Sequence, residues 1–176
     1  MRADLKKTDL EWANLEGANL EDADLCEASL EGVNLERANL QGADLRKANL
    51  QGANLRKANL EGANLRKANL EGANLEEANI SWANLRFANM KKTKLKKANL
   101  QGVFLYGADL EGAILDYSSF PLWCGSFDVK TDTRLPAQLA YHMCRLKCDD
   151  PIVIEAQKAL LPLAKKFHRY WECGSL

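Results

Sequence analysis

Residues 38–75 read ANLQGADLRKANLQGANLRKANLEGANLRKANLEGANL. The order Ala, Asn or Asp, Leu, then two polar or glycine residues returns every five positions without a slip. The phase holds outward from this stretch in both directions, from Ala3–Asp4–Leu5 to Ser118–Ser119–Phe120. Every fifth residue from Leu5 to Leu115 is Leu, apart from Ile80 and Met90. Two positions earlier stands Ala, replaced only by Thr8, Val33, Thr93 and Val103 up to Ala113. A period of five matches neither a helix face nor a strand face, and an unbroken fixed period marks a repeat architecture.

Ala and Leu sit two apart, so an extended backbone points both to one side and the intervening Asn or Asp to the other. The two residues after Leu must turn the chain so that the next pair faces the same interior. If each unit turns the chain by about a right angle, four units close a coil of twenty residues. Six such coils, stacked at the inter-strand spacing of ~4.8 Å, make a rod of roughly 29 Å. Leu15, Leu35, Leu55, Leu75 and Leu95 are then one column of the interior. Gly at the second position after Leu, as at Gly42, Gly52 and Gly62, suits the φ > 0 that a type II turn needs there. Units ending Arg–Lys, such as Arg46–Lys47 and Arg56–Lys57, lack Gly and are expected to use another turn.

The pattern A(D/N)LXX over residues 3–120 resembles the pentapeptide-repeat family. The resemblance implies an all-β solenoid, a right-handed quadrilateral β-helix of about six coils spanning 1–120. It also raises a role in modulating DNA gyrase or topoisomerase, because some members mimic duplex DNA in shape and charge. Here the departures weigh against gyrase. Leu rather than Phe stands at the centre of each unit, the tail reads as helical, and only residues 1–45 are acidic enough.

Net charge is zero, with 24 basic and 24 acidic residues, so no global field favours nucleic acid or an anionic membrane. The distribution is uneven: residues 1–45 hold four Lys/Arg against eleven Asp/Glu, residues 46–100 twelve against four. The basic middle zone is the basis for an alternative reading as a nucleic-acid binder, without a motif to support it. Outward aromatics beside the basic zone mark a candidate partner surface of Trp82, Arg86, Phe87, Lys91, Lys92, Lys96, Lys97, Phe104 and Tyr106. With no helix in front of the repeat, the first coil is expected to support weak self-association through its open edge.

After Phe120 the grammar changes, and all four Pro lie beyond it. Residues 121–176 read as a loop followed by two or three helices that cap the C-terminal coil. Leu135, Leu139, Met143 and Leu146 mark one helix. Pro151 opens a second, with Val153, Ala156, Leu160, Leu163, Phe167 and Trp171 on its apolar face and Pro162 inside it, where a kink or split is expected. The tail also gathers thiols and imidazoles. Cys144, Cys148, His168 and Cys124 could hold zinc tetrahedrally, but no C-x₂-C pair exists and packing is the simpler role for such Cys. The expectation is therefore no metal and no cofactor. The repeats contain no His, and their carboxylates stand in solvated columns that would not tune a pKa for acid–base work. Five Cys without an apolar leader fit reduced thiols in a cytoplasm. No stretch is long and apolar enough to span a membrane. The reading is a non-catalytic, bacterial-type scaffold of unknown partner, presenting a rigid surface for protein–protein interaction.

Overall fold

The structure, a computed structural model, describes residues 3–115 and 151–164. The chain divides into two compact units, Met1–Lys130 and Thr131–Leu176.

In the first unit every outward Asn, Asp or substitute pairs in parallel with the residue twenty positions on, from Asp4 with Asp24 to Lys94 with Ile114. Twenty residues thus make one coil and four pentads its four sides. We number these sides 1 to 4 by the first coil, centred on Leu5, Leu10, Leu15 and Leu20. Five complete coils and most of a sixth are described.

The repeat is explained by where its five backbone N–H groups go. In the unit Ala58–Asn59–Leu60–Glu61–Gly62, Leu60 N–H donates up to Asn79 O at 2.6 Å and Gly62 N–H up to Ser81 O at 2.9 Å. Asn59 N–H donates down to Ala38 O at 2.9 Å. Ala63 N–H, the first of the next unit, closes the turn onto Leu60 O at 3.0 Å. The remaining donor, Glu61 N–H, lies inside the turn and reaches the Asn59 side-chain Oδ1 at 3.2 Å. Asn or Asp is therefore favoured for its acceptor, which stands in for a carbonyl the coil above cannot supply. The amide Nδ2 of Asn adds a second tie. On side 4, Asn39, Asn59, Asn79 and Asn99 each donate to the Oδ1 one coil below at 3.1–3.3 Å.

Inside, the Leu and Ala columns fill the bore. Leu35, Leu55, Leu75 and Leu95 are buried, as expected, whereas Leu15 in the first coil is only half-buried. Thr93 replaces an inward Ala without leaving a stray hydroxyl, because its Oγ1 donates to Met90 O at 2.8 Å.

The corners depart from the sequence reading. Glycine corners have φ of +61° to +74°, but Lys47, Lys57 and Lys67 adopt +59° to +63° in the same turn. Among the described residues every corner shares this positive φ, and no second turn type is used. Each corner from Lys7 to Lys92 donates its N–H to the coil above, so the stack dictates one backbone shape whatever the residue. The left-handed conformation costs a non-glycine residue about 1 kcal/mol, which the surrounding ladder offsets.

In the second unit the described element is helix α1, Pro151–Ala164, with Pro151 at its first position. It continues through Pro162 rather than splitting there, with Pro162 only two residues before its end. Ala156, expected on the apolar face, is exposed. The helix expected over Leu135–Leu146 and the capping of the last coil lie outside the described residues.

Candidate functional site

The twenty-residue register sorts the outward side chains into columns. Side 1 carries Asp4, Asp24, Asp44, Asn64, Asn84 and Phe104. The corner that follows it carries Lys6, Cys26, Arg46, Arg66, Arg86 and Tyr106, and next to them Lys7, Glu27, Lys47, Lys67, Phe87 and Gly107.

The sequence-predicted partner residues fall on two opposite sides. Trp82, Arg86, Phe87, Phe104 and Tyr106 gather on side 1 and its two corners. Lys91, Lys92, Lys96 and Lys97 stand at the two corners of side 3, across the bore. On side 1, Phe87 and Tyr106 meet edge to face, with centroids 5.4 Å apart and planes at 88°. Arg66 lies 5.8 Å from the Phe87 centroid and Arg86 5.1 Å from that of Phe104. Trp82 rests its ring on Gly102, where a Cβ would come within 2.5 Å of Cε3. Phe87 similarly covers Gly107. The three exposed rings, Trp82 at 56%, Phe87 at 45% and Tyr106 at 45%, are thus ordered by contacts rather than splayed. Arg66 and Lys67 belong to this group and were missed; subtracting twenty from Arg86 and Phe87 would have found them.

The electrostatics follow the same register. Glu27 accepts from Lys47 at 2.8 Å and faces Lys7 at 3.6 Å; Glu36 takes Arg56 at 2.9 Å. Arg46 is held by Asp44 beside it through three contacts of 2.7–3.0 Å. The Lys47 hydrogen bond, with the charges of Lys47 and Lys7, pulls the Glu27 pKa below its ordinary value. Hydrogen bonds from Asn54 and then Arg56 do the same for Glu36. On side 3, Lys91 bonds Glu111 at 3.0 Å and Asp109 at 3.5 Å, which raises its pKa, and Lys92 approaches Glu71 at 4.0 Å. Much of the basic zone is therefore neutralised by carboxylates one coil away.

A shallow recess of about 250 Å³ lies at the corner after side 1, where short Cys26 interrupts a column of long basic residues. Three of its six charged lining residues are paired, Glu27 with Lys47 and Arg46 with Asp44. Among the described residues no cluster of His, Cys, Asp or Glu could hold a metal ion. The proposed zinc ligands Cys124, Cys144, Cys148 and His168 lie outside those residues. No described helix is long and apolar enough to cross a membrane.

The pentapeptide-repeat model matches residues 3–42, 43–81 and 78–116, in eight copies. The chain belongs to the pentapeptide-repeat family. Its repeat unit is a right-handed quadrilateral β-helix, as in the family's solved structures. One of these, the pentapeptide repeat protein Rfr23 from the cyanobacterium Cyanothece 51142, is 31% identical with a TM-score of 0.63, over 64% of this chain and 91% of that one. HetL, involved in heterocyst differentiation regulation in the cyanobacterium Nostoc sp. strain PCC 7120, is 39% identical with a TM-score of 0.35, over 68% of this chain and 60% of its own length. Trypsin-treated QnrB1, a plasmid-mediated fluoroquinolone resistance protein, is 20% identical with a TM-score of 0.57, over 84% and 86% of the two chains. No curated protein matches the sequence significantly. Pentapeptide-repeat proteins are in general structural rather than catalytic.

Proposed function

We propose that this protein is a non-catalytic scaffold that presents a rigid surface to a protein partner. The observation that carries the reading is the group of ordered, exposed aromatics and arginines on side 1, held by a backbone whose donors are committed to the ladder. A surface of this kind forms a partner site without reorganising, so association spends little on ordering it. A cytoplasmic setting suits Cys26, a free thiol. Affinity capture from the native host with crosslinking tests the proposal. A stoichiometric protein partner is expected; recovery of none at native abundance would overturn it.

Gyrase modulation is the weaker reading. Similarity to QnrB1 at 20% identity supports a shared fold, not a shared target. Binding of duplex nucleic acid by the basic zone is weakened by Glu71, Asp109 and Glu111, which engage Lys91 and Lys92.

A further inference from the structure

The columns on side 1 and its following corner change character at coil four. Below, Asp44 pairs with Arg46 and Glu27 with Lys47. Above, side 1 turns neutral at Asn64 and Asn84 while the corner stays basic through Arg66, Lys67 and Arg86. Asp gives way to Asn in one column without a matching loss of charge in the next. These three cations consequently have no carboxylate partner among the described residues, unlike Arg46 and Lys47 below them.

The two arginines also sit over rings. Each guanidinium lies against an aromatic ring, Arg66 on Phe87 and Arg86 on Phe104. A ring beneath a guanidinium takes up none of its N–H donors, so these can still grip a carboxylate with two parallel bonds. Trp82 and the Phe87–Tyr106 pair flank the same side and supply exposed apolar surface. Trp, Tyr and Arg dominate the energetic centres of protein interfaces.

We infer that the upper half of side 1 docks an acidic protein segment bearing an aromatic or aliphatic anchor. Arg66 and Arg86 take its carboxylates, Lys67 adds long-range attraction, and the anchor packs against Trp82 and the Phe87–Tyr106 edge. The inference rests on the scaffold reading and specifies its partner. Single-stranded nucleic acid fits less well, because base stacking needs a run of open ring faces, and of the rings here only Trp82 and Tyr106 are not faced by an arginine. Arg86 lies over Phe104, and Phe87 is bounded by Arg66 and Gly107. Side 3 supplies a control: Lys96 and Lys97 are exposed cations with no described aromatic stacked on them.

The test is fluorescence anisotropy with a dye-labelled peptide of glutamates around a central tryptophan, against the full chain. Binding is expected, lost when Gln replaces Glu in the peptide. The double variant Arg66→Gln/Arg86→Gln should weaken it about tenfold or more, with the fold checked by circular dichroism. Arg66→Lys/Arg86→Lys, which keeps charge but not the fork, should fall between. Lys96→Gln/Lys97→Gln should leave affinity unchanged. No binding, an equal loss from the side 3 variant, or tighter binding of an oligothymidylate would each overturn the site. Host capture separates the two proposals. A partner retained equally by Arg66→Gln/Arg86→Gln sinks this site and leaves the scaffold standing, whereas absence of any partner sinks the scaffold reading itself.

Discussion

Truncating Leu55 to Ala tests how the bore is held together. Leu55 is fully buried, at 0% exposure, in the column between Leu35 and Leu75. Removing three carbons forfeits about 2.4 kcal/mol of transfer free energy, at ~0.8 kcal/mol per buried group. A cavity remains because the surrounding walls cannot collapse. Leu55 N–H is bonded to Asn74 O at 2.7 Å and Asn54 N–H to Val33 O at 2.9 Å, so backbone movement would break the ladder on both sides. At ~24 cal/mol per Å³, a residual void of roughly 60 Å³ adds about 1.5 kcal/mol, for a total near 4 kcal/mol. Leu15 occupies the same column in the first coil and is half-buried, so Leu15→Ala should cost only about 1–2 kcal/mol. Urea unfolding followed by circular dichroism reads both, with the midpoint falling and the slope unchanged. Equal losses for the two variants would refute the argument that enclosure by neighbouring coils sets the cost.

At the corners, Gly52→Ala meets no atom within 4 Å and should cost only the left-handed strain, about 1 kcal/mol. Gly102→Ala must also displace the Trp82 ring, so a larger midpoint shift with altered tryptophan emission is expected; identical shifts would contradict the packing. Acid should destabilise the repeat. Glu27 and Glu36 have folded pKa values below the ordinary 4.5, so their contribution is present above that value and is lost as pH falls through the lower folded one. Glu27→Gln/Glu36→Gln should flatten the fall in melting temperature below about pH 5, and an unchanged acid slope would count against these pairs. Supercoiling by gyrase should be little affected, since the acidic length is confined to residues 1–45; inhibition at low micromolar protein that survives moderate salt would reverse that ranking. The half-buried Leu5, Leu10 and Leu15 should support weak self-association that strengthens as salt screens the acidic first coil. Sedimentation showing a strict monomer at high protein and high salt would rule it out.

The interior was legible because its period is an integer number of residues: Leu35, Leu55 and Leu75 align by counting twenty. The pairing of Asn84 with Phe104 was legible for the same reason. The role of Asn was not, because hydropathy records only that it points outward. Its use as an acceptor, as for Glu61 N–H, emerges from tracing where every donor goes. The corners misled because propensity reserves positive φ for glycine, whereas the stack imposes it on Lys47 and Phe87 alike. On the candidate surface, Arg66 went unnoticed because proximity across coils is separated by twenty residues in the chain. Lys96 and Lys97 were grouped with Phe87 because they are near in sequence, although a coil places them across the bore.

The four-unit coil also governs how such a protein can change. Inserting twenty residues lengthens the stack and returns every downstream column to its own side. Inserting a single pentad leaves the bore equally well filled, since any Ala–x–Leu unit suits any side. It turns everything downstream by one quarter, however, so Trp82 and Phe87 would look out over a different neighbour while their own surroundings stayed intact. The orientation of a recognition surface along this rod can thus be reset in discrete steps, with little demand on the core that supports it.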